Sequence, residues 1–248
     1  MIKGLLFDIN GTLTDILTDE TNNDIYRVVS NFLDYYGVKI PADEFRRLYF
    51  ELNKQQRKDN REAFPEFDVE EIFKTIIRRY GSDFTAKLSH EQRKTLPAMA
   101  ANVFRATSRF KLQLYPGVLE ILATLRKSYR LAAVSDGQSL WAYPELHSVG
   151  LSGIFDPVIV SSELGYRKPD SRMFELALKE LKLAPSEVIF IGNDMYRDVY
   201  GASLLKIKTV FFRSNQGEQR KSGAEPNYII YNFSELPEAI RFLCGNRK

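Results

Sequence analysis

Apolar residues recur at helical spacing through the stretch from residue 22 to residue 110. Its first segment shows the pattern in Ile25, Val28, Val29 and Phe32, and Gly37 ends it. The same periodicity predicts helices over 22–36, 43–58, 69–80 and 90–110. No part of this stretch alternates polar and apolar residues as a strand does, so we expect an all-helical region.

A different pattern begins after residues 115–117, where short apolar runs alternate with helical periods. Strands are predicted over 130–135, 157–161, 187–191, 208–212 and 227–230, and helices over 117–128, 138–149, 170–182, 196–205 and 234–243. One further apolar run, from Ile2 to Phe7, opens the chain. Strands that alternate with helices form a parallel sheet covered on both faces. The pattern therefore predicts an α/β core domain of residues 1–14 and 112–248, with a helical domain inserted at 15–111.

Composition and charge narrow the class of protein. Apolar residues make up 44% and charged residues 27% of the 248 positions, which is typical of a globular protein of one or two domains. The net charge of +3 is spread over basic clusters mixed with acidic residues, which argues against nucleic-acid binding. The single cysteine, Cys244, excludes an internal disulfide, and no apolar run approaches the ~20 residues of a membrane span. The N-terminal run enters the sheet without a signal-peptide pattern, so we expect a cytoplasmic protein that binds no membrane.

The strongest chemical signal is the segment Asp8 to Asp15, which directly follows the first apolar run. A carboxylate placed there lies at the carboxyl end of a parallel strand, where ligands of open α/β sheets bind. The turn at Gly11 and Thr12 allows close approach of the backbone, and we expect its N–H groups to hold an anion. The alternative is an ordinary strand-ending aspartate that caps the next turn.

Three later segments repeat this placement of polar groups behind strands or at helix starts. Ser135, Asp136 and Gly137 follow one predicted strand, and the Ser135 hydroxyl is a donor for a phosphoryl oxygen. Lys168 precedes a proline that opens a helix, and Asp194 and Asp198 follow another strand. Together these groups supply a nucleophile, an anion-holding donor, a neutralising cation and a site for a hard metal ion.

The order and context of these residues resemble the haloacid dehalogenase-like (HAD) superfamily of aspartate-nucleophile hydrolases, over nearly the whole chain. The resemblance implies a Rossmann-like, doubly wound core with a helical cap domain inserted between the first and second motifs. It implies that Asp8 is the nucleophile, with Lys168 as a further catalytic and substrate-binding residue. The substrate-binding residues implied are Gly11, Thr12, Ser135, Asp136, Gly137 and Lys168. It also implies a Mg²⁺ ion held by Asp8, the backbone carbonyl of Asn10, and Asp194, with Asp198 in an outer shell of the metal site.

The chain departs from the pattern of the family's phosphatases at two positions. Asn10 stands where they carry a second aspartate that protonates the leaving group and later activates water, a general acid/base worth roughly 10²- to 10⁴-fold. Either turnover is slow, or the substrate has a good leaving group, or another residue supplies the proton; a native and an engineered asparagine fit the sequence equally. Asn193 stands where some relatives place the metal-binding acid, so the inner-sphere position lies at either Asn193 or Asp194.

These observations predict a magnesium-dependent hydrolase of a small phosphorylated metabolite that acts through an aspartyl-phosphate on Asp8. We expect a monomer or homodimer, with a cap that excludes water and selects the substrate. One alternative is a 2-haloacid dehalogenase, in which Asp8 attacks carbon without a metal. Another is a retired HAD domain that binds a ligand or a partner and turns nothing over.

Overall fold

The structure, a computed structural model, describes residues 1–245. The last three positions of the predicted core domain, 246–248, lie outside the described residues. The chain divides into two compact units, one formed by Met1–Ile16 together with the chain from Leu112 onward and the other by Leu17–Lys111. The role of the second unit as a cap stays a prediction.

Six parallel strands form the sheet of the first unit. Within residues 1–245 the strands are β1 (Gly4–Phe7), β2 (Thr14–Thr18), β3 (Arg109–Leu114), β4 (Arg130–Ser135), β5 (Val158–Val160), β6 (Val188–Gly192), β7 (Lys208–Phe212) and β8 (Tyr228–Ile230). The sheet has the order β5-β4-β1-β6-β7-β8, and every pair in it is parallel. The chain winds outward from β1 on one side and then returns to wind outward on the other. The predicted doubly wound, Rossmann-like fold is confirmed, and β1 lies at its switch point.

Both faces of this sheet are buried because side chains of each strand alternate between two cores. In β1, Leu5 and Phe7 belong to one apolar cluster and Leu6 to the other. In β6, Ile191 joins the first cluster and Phe190 the second. Strands buried on both faces are apolar at nearly every position, which is typical of a parallel sheet covered on both sides.

Helices cover both faces of the sheet. The helices of this unit are α6 (Val118–Leu125), α7 (Ser139–Ser148), α8 (Ser171–Leu181), α9 (Gly201–Ser203) and α10 (Leu236–Leu243), numbered after five helices of the second unit. Buried residues of α6 and α10 pack in the cluster with Leu5, whereas those of α8 pack in the cluster with Leu6. None of the helices described in residues 1–245 is both long and apolar enough to cross a membrane.

The second unit is helical, as its periodicity predicts. Its helices are α1 (Asn23–Tyr35), α2 (Ala42–Asp59), α3 (Val69–Tyr80), α4 (Asp83–Lys87) and α5 (His90–Ser108). Polar side chains begin three of them, because Asn22, Asp68 and Ser89 accept hydrogen bonds from otherwise unpaired N–H groups of the first turn. Their apolar faces meet in a buried aromatic core of Tyr26, Phe45, Tyr49, Phe73 and Phe104.

The expectation of an inserted stretch without strands was wrong at its two ends. The predicted helix over 90–110 ends at Ser108, and the chain continues as β3, which pairs with β2 in a separate two-stranded sheet. Residues 109–114 read Arg-Phe-Lys-Leu-Gln-Leu, an alternation with the period of a strand. The helical period continues through the first two of these residues, which is why the predicted helix includes them.

The aromatic core predicts how the helical unit responds to truncation. Phe104 is fully buried and its ring contacts those of Tyr26, Tyr49 and Phe73. We expect Phe104→Ala to lower the free energy of unfolding by about 3–5 kcal/mol, because it leaves a cavity that the surrounding rings fill only in part. Phe84→Ala, at a ring that is 57% exposed, is the control and should cost far less. Equal losses in urea denaturation of the two variants would contradict this description of the core.

Candidate active site

Three neighbouring strands bring the predicted motifs to one edge of the sheet. Phe7, the last residue of β1, lies in register with Ala133 of β4 and Ile191 of β6. Asp8 follows β1 directly, Ser135 ends β4, and Asn193 follows β6. Since parallel strands present their carboxyl ends on the same side, the chemistry predicted from separate segments converges there.

A buried lysine lies at the centre of this edge. The Lys168 Nζ donates to Asp8 Oδ1 at 2.7 Å and to Asp198 Oδ1 at 2.7 Å, and only 2% of the lysine side chain is exposed. The Lys168 backbone N–H donates to Asp136 Oδ1 at 2.9 Å, which fixes the loop that carries it. Burial opposes the charge of Lys168, but Asp198 and Asp8 outweigh it and raise the pKa of the ammonium group. Lys168 is therefore a permanent cation in contact with the predicted nucleophile.

Asp198 holds this lysine and is itself held by the backbone. Its Oδ2 accepts the N–H groups of Asn193 and Asp194 at 3.1 and 3.0 Å, while Oδ1 accepts Lys168. Burial raises the pKa of Asp198 to about 7, against the opposing charge of Lys168. The backbone therefore fixes the Asp198 carboxylate through Oδ2, and the other oxygen, Oδ1, orients Lys168.

Asp194 lines the site, but its carboxylate is occupied by donors of its own neighbourhood. Oδ1 accepts the N–H groups of Tyr196 and Arg197 at the start of the wide helical turn Met195–Tyr200. Oδ2 accepts the guanidinium of Arg197 through Nε at 2.9 Å and Nη2 at 2.7 Å, and the N–H of Glu218 at 3.0 Å. Burial opposes ionisation, yet these bonds lower the pKa of Asp194. A metal ion would have to displace one of them, so the metal-binding role of Asp194 stays a prediction.

The amide of Asn193 lies closer to Asp8. The Thr12 hydroxyl lies 2.9 Å from Asp8 Oδ2 and 3.0 Å from Asn193 Oδ1, and so bridges the first and fourth motifs. A Cβ on Gly11 would fall 2.3 Å from Asn193 Nδ2, so only glycine leaves room for this side chain. Of the two candidate inner-sphere positions, Asn193 is thus the one in contact with the Asp8 loop.

Two backbone N–H groups of the first turn bond within the turn, and the role of this turn in anion binding stays a prediction. The Gly11 N–H donates to the Thr14 carbonyl at 2.7 Å, and the Thr12 N–H donates to the Ile9 carbonyl at 3.2 Å. These donors close the turn on itself. The Asn10 side chain also serves it, because Asn10 Oδ1 accepts the Thr14 hydroxyl at 3.0 Å.

The second motif contributes mainly through Asp136. Its carboxylate accepts the Lys168 N–H and lies 3.4 Å from the guanidinium of Arg167. Ser135 is buried at the strand end, with its hydroxyl 3.5 Å from the Asp136 carbonyl. The Gly137 N–H donates to the Ser161 hydroxyl at 2.9 Å. Asp136 thus organises the lysine loop, and the phosphate-holding roles of Ser135 and Gly137 stay predictions.

One small cleft of about 40 Å³ collects most of the predicted side chains. It is lined by Asp8, Asn10, Asp136, Lys168, Asn193, Asp194, Arg197 and Asp198. The predicted substrate-binding residues Gly11, Thr12, Ser135 and Gly137 lie next to this group but are not part of its lining. Arg197 is part of this lining, and its spacing of three residues from Asp194 is that of a helical ion pair.

The atoms of this cleft that could bind a metal ion are oxygens. Few of them belong to carboxylates that are not already taken up by several hydrogen bonds. Among residues 1–245, no group of three or more His, Cys, Asp and Glu side chains is arranged to hold a metal ion. Asp194 and Asp198 are saturated by donors, and positions 10 and 193 are amides. Asp8, Asn10 and Asn193 remain as oxygen ligands for a hard cation such as Mg²⁺.

Comparison with known proteins decides the family. The model of the haloacid dehalogenase-like hydrolases matches residues 2–204. The chain belongs to this family. It is 27% identical to the glyceraldehyde 3-phosphate phosphatase of Methanopyrus kandleri, over 98% of this chain and 99% of the relative. It is also 27% identical to a phosphoglycolate phosphatase of Nitrosococcus oceani, over 95% of each chain.

Solved structures share the fold of this haloacid dehalogenase-like hydrolase. A 2-haloacid dehalogenase from Pseudomonas syringae superposes with a TM-score of 0.72 at 21% identity, covering 98% of this chain and 99% of the other. A HAD phosphatase from Thermococcus onnurineus superposes with a TM-score of 0.59 at 23% identity, covering 96% and 98%. Both kinds of chemistry occur on this architecture, so the site must decide between them.

A loop that follows β7 supports the fourth motif of this hydrolase. The Glu218 N–H donates to Asp194, and the Met195 N–H donates to the Glu218 carbonyl at 2.8 Å. The Gln216 side chain donates to Asp15 Oδ1 at 2.9 Å, which ties the same loop to the end of the first motif. The bonds of this loop to Asp194 and Met195 join segments that are far apart in sequence.

Two glycines of this loop allow a matched test of that support. Gly217 has φ +80° and Gly223 φ +78°, so alanine at either costs about 1–2 kcal/mol in the left-handed region. A Cβ on Gly217 would also fall 2.5 Å from the Asn193 carbonyl oxygen, whereas one on Gly223 would meet nothing within 4 Å. We expect Gly217→Ala to lower the free energy of unfolding by a further 1–3 kcal/mol or so in urea denaturation. If both variants lose the same free energy of unfolding, the loop at Gly217 does not pack against Asn193.

Proposed function

We propose that this hydrolase cleaves small phosphorylated metabolites through a covalent aspartyl-phosphate on Asp8. The observation that carries the proposal is the contact of Asp8 with the buried ammonium of Lys168 in a cleft at the carboxyl end of β1. A nucleophile held beside a cation suits attack on an anionic phosphoryl group. The phosphatase names of relatives that match nearly the whole chain support phosphorus as the target atom.

In the first step an Asp8 oxygen bonds to phosphorus while the ester oxygen leaves with its electron pair. Lys168 neutralises charge on the phosphoryl group, and Asp198 keeps its ammonium directed at Asp8. The Thr12 hydroxyl orients the Asp8 carboxylate through Oδ2. In the second step water attacks phosphorus, and phosphate and the free Asp8 carboxylate are released.

The oxygen atoms of the cleft suit a Mg²⁺ ion, but the small negative charge of the possible ligands limits the affinity for it. Asp8, Asn10 and Asn193 would hold it, since Mg²⁺ takes oxygen ligands. When bound, the ion supplies further neutralisation of the phosphoryl oxygens. With one ionised ligand beside two amide-bearing residues, we propose that this chain binds Mg²⁺ weakly.

The amide at position 193 gives a direct test of this metal site. We expect Asn193→Asp to tighten Mg²⁺ binding on the order of tenfold, because a carboxylate replaces a neutral oxygen next to Asp8. Isothermal titration calorimetry with Mg²⁺ in the absence of phosphate measures the change. Asn31→Asp, an exposed position in the helical unit, is the control and should leave the affinity as it is. Unchanged affinity in Asn193→Asp would place the metal elsewhere.

Asn10 predicts which esters are cleaved well. The amide of Asn10 cannot act as a general acid, so a leaving group that needs a proton is expelled slowly. We expect Asn10→Asp to raise the first-turnover rate on an alkyl phosphate about 10²-fold or more. An aryl phosphate, whose leaving group departs as an anion, should gain much less. Equal gains on both esters, measured by rapid quench, would mean that Asn10 does not stand at the leaving group.

A second candidate is a 2-haloacid dehalogenase, and one observation favours it. The cleft has amides at positions 10 and 193, and halide departure from carbon requires neither a protonated acid nor a metal ion. Release of chloride from 2-chloropropionate in the presence of EDTA, without release of phosphate from any ester, would support this candidate. Binding of phosphate without turnover of either substrate would support a domain that has lost its activity.

A further inference from the structure

We propose that Arg197 is a substrate-binding residue, and that it and Lys168 hold the anionic group of the substrate over Asp8 whether or not a metal ion is bound. The inference deepens the proposed function and rests on it for the identity of the anion as a phosphoryl group. Arg197 lines the same cleft as Asp8 and Lys168, with 39% of its side chain exposed. It is the more accessible of the two cations, since Lys168 is buried.

The guanidinium of Arg197 is oriented in advance and keeps donors to spare. Of its five N–H groups, Nε–H and one on Nη2 bond to Asp194 Oδ2. Its Nη1 lies 3.8 Å from Asp136 Oδ2, which is longer than a hydrogen bond. Within residues 1–245 no acceptor is in place for the three remaining N–H groups, so a bound oxyanion can take two of them from one planar fork.

The charge of Arg197 is permanent and set by its surroundings. Burial opposes it, but the hydrogen bonds and the negative charge of Asp194 raise the pKa of the guanidinium, and Asp136 and Asp8 add to this. Asp194 therefore acts as a positioning residue for Arg197. A metal ion at Asp194 would have to displace one of these bonds.

Two amides reduce the need for a metal ion in this cleft. Carboxylates at positions 10 and 193 would repel a phosphate dianion at Asp8 unless a divalent cation lay between them. Asn10 and Asn193 remove both charges, while Lys168 and Arg197 remain. The balance of charge thus favours direct binding of the anion by the two cations.

A purely structural role for Arg197 makes a different prediction. If its fork on Asp194 only caps the helical turn Met195–Tyr200, its loss lowers stability and leaves anion affinity unchanged. Anion binding therefore separates the two roles, and it does so without any catalytic assay.

The test is calorimetric titration of the full chain with inorganic phosphate, in EDTA and again with Mg²⁺. We expect binding in EDTA within about threefold of that with Mg²⁺, and a loss of about 10- to 100-fold in Arg197→Met, the range of a lost charged hydrogen bond. Arg197→Lys, which keeps the charge but not the fork, should lose less. Arg126→Met, at an exposed arginine of the same unit, should bind as the parent does.

Further variants guard against misfolding and locate the anion. Arg197→Gln, checked by circular dichroism, replaces Arg197→Met if the latter fails to fold. Asp8→Asn should tighten phosphate binding, because it removes the negative charge that faces the anion. The double variant Asn10→Asp with Asn193→Asp should bind phosphate only when Mg²⁺ is present. Binding that requires Mg²⁺ in the parent chain, or that is the same in folded Arg197→Met and Arg197→Gln, would overturn the inference.

Hydrolysis of p-nitrophenyl phosphate by the same samples separates this inference from the proposed function. Phosphate binding in EDTA that depends on Arg197, without any ester hydrolysis, would support the inference and refute the phosphatase activity. Hydrolysis together with phosphate binding that ignores Arg197 would refute the inference alone.

Discussion

The paired contacts of the Lys168 ammonium with Asp8 and Asp198 are the constraint on which the site depends. A buried cation is tolerated only with partners, and each partner here comes from a different segment: Asp8 follows β1, and Asp198 lies in the turn after β6. Asp198 in turn needs the two backbone N–H groups at 193 and 194. The lysine therefore requires the sheet edge to be assembled, which makes nucleophile, cation and backbone a single polar network.

Around that network the chain replaces acids by amides and adds a guanidinium. Asn10 and Asn193 each keep one oxygen of the expected carboxylate and lose its charge and its ability to transfer a proton. Asp194 keeps its charge but directs it to Arg197 and to three backbone N–H groups. On the proposed function, such a cleft would present Asp8 to an anion with less need for a divalent cation. It would then favour esters whose leaving groups need no proton.

Sequence reasoning reached the fold and the central residues for identifiable reasons. The alternation of strands with helices predicted a sheet covered on both faces, and three elements, Val69–Tyr80, Arg130–Ser135 and Lys208–Phe212, matched to the residue. Motif order predicted the meeting of Asp8 with Lys168 and Asp198. It did not reveal where Asp194 directs its carboxylate, because Glu218 supplies one donor from 24 positions away. Motif order also did not show that the N–H groups of Gly11 and Thr12 bond to carbonyls within the first turn. These bonds depend on backbone geometry that composition does not encode.

The central claim is that Asp8 forms a covalent bond with phosphorus, and trapping that species tests it most directly. Because Asn10 cannot act as a general base toward water, we expect the second step to be the slower one and the intermediate to accumulate when the ester has a good leaving group. Acid quench of the chain within the first turnover of an aryl phosphate, followed by peptide mass spectrometry, should find one phosphoryl group on Asp8. Steady hydrolysis of the same ester with Asp8 unmodified at every quench time would contradict the account.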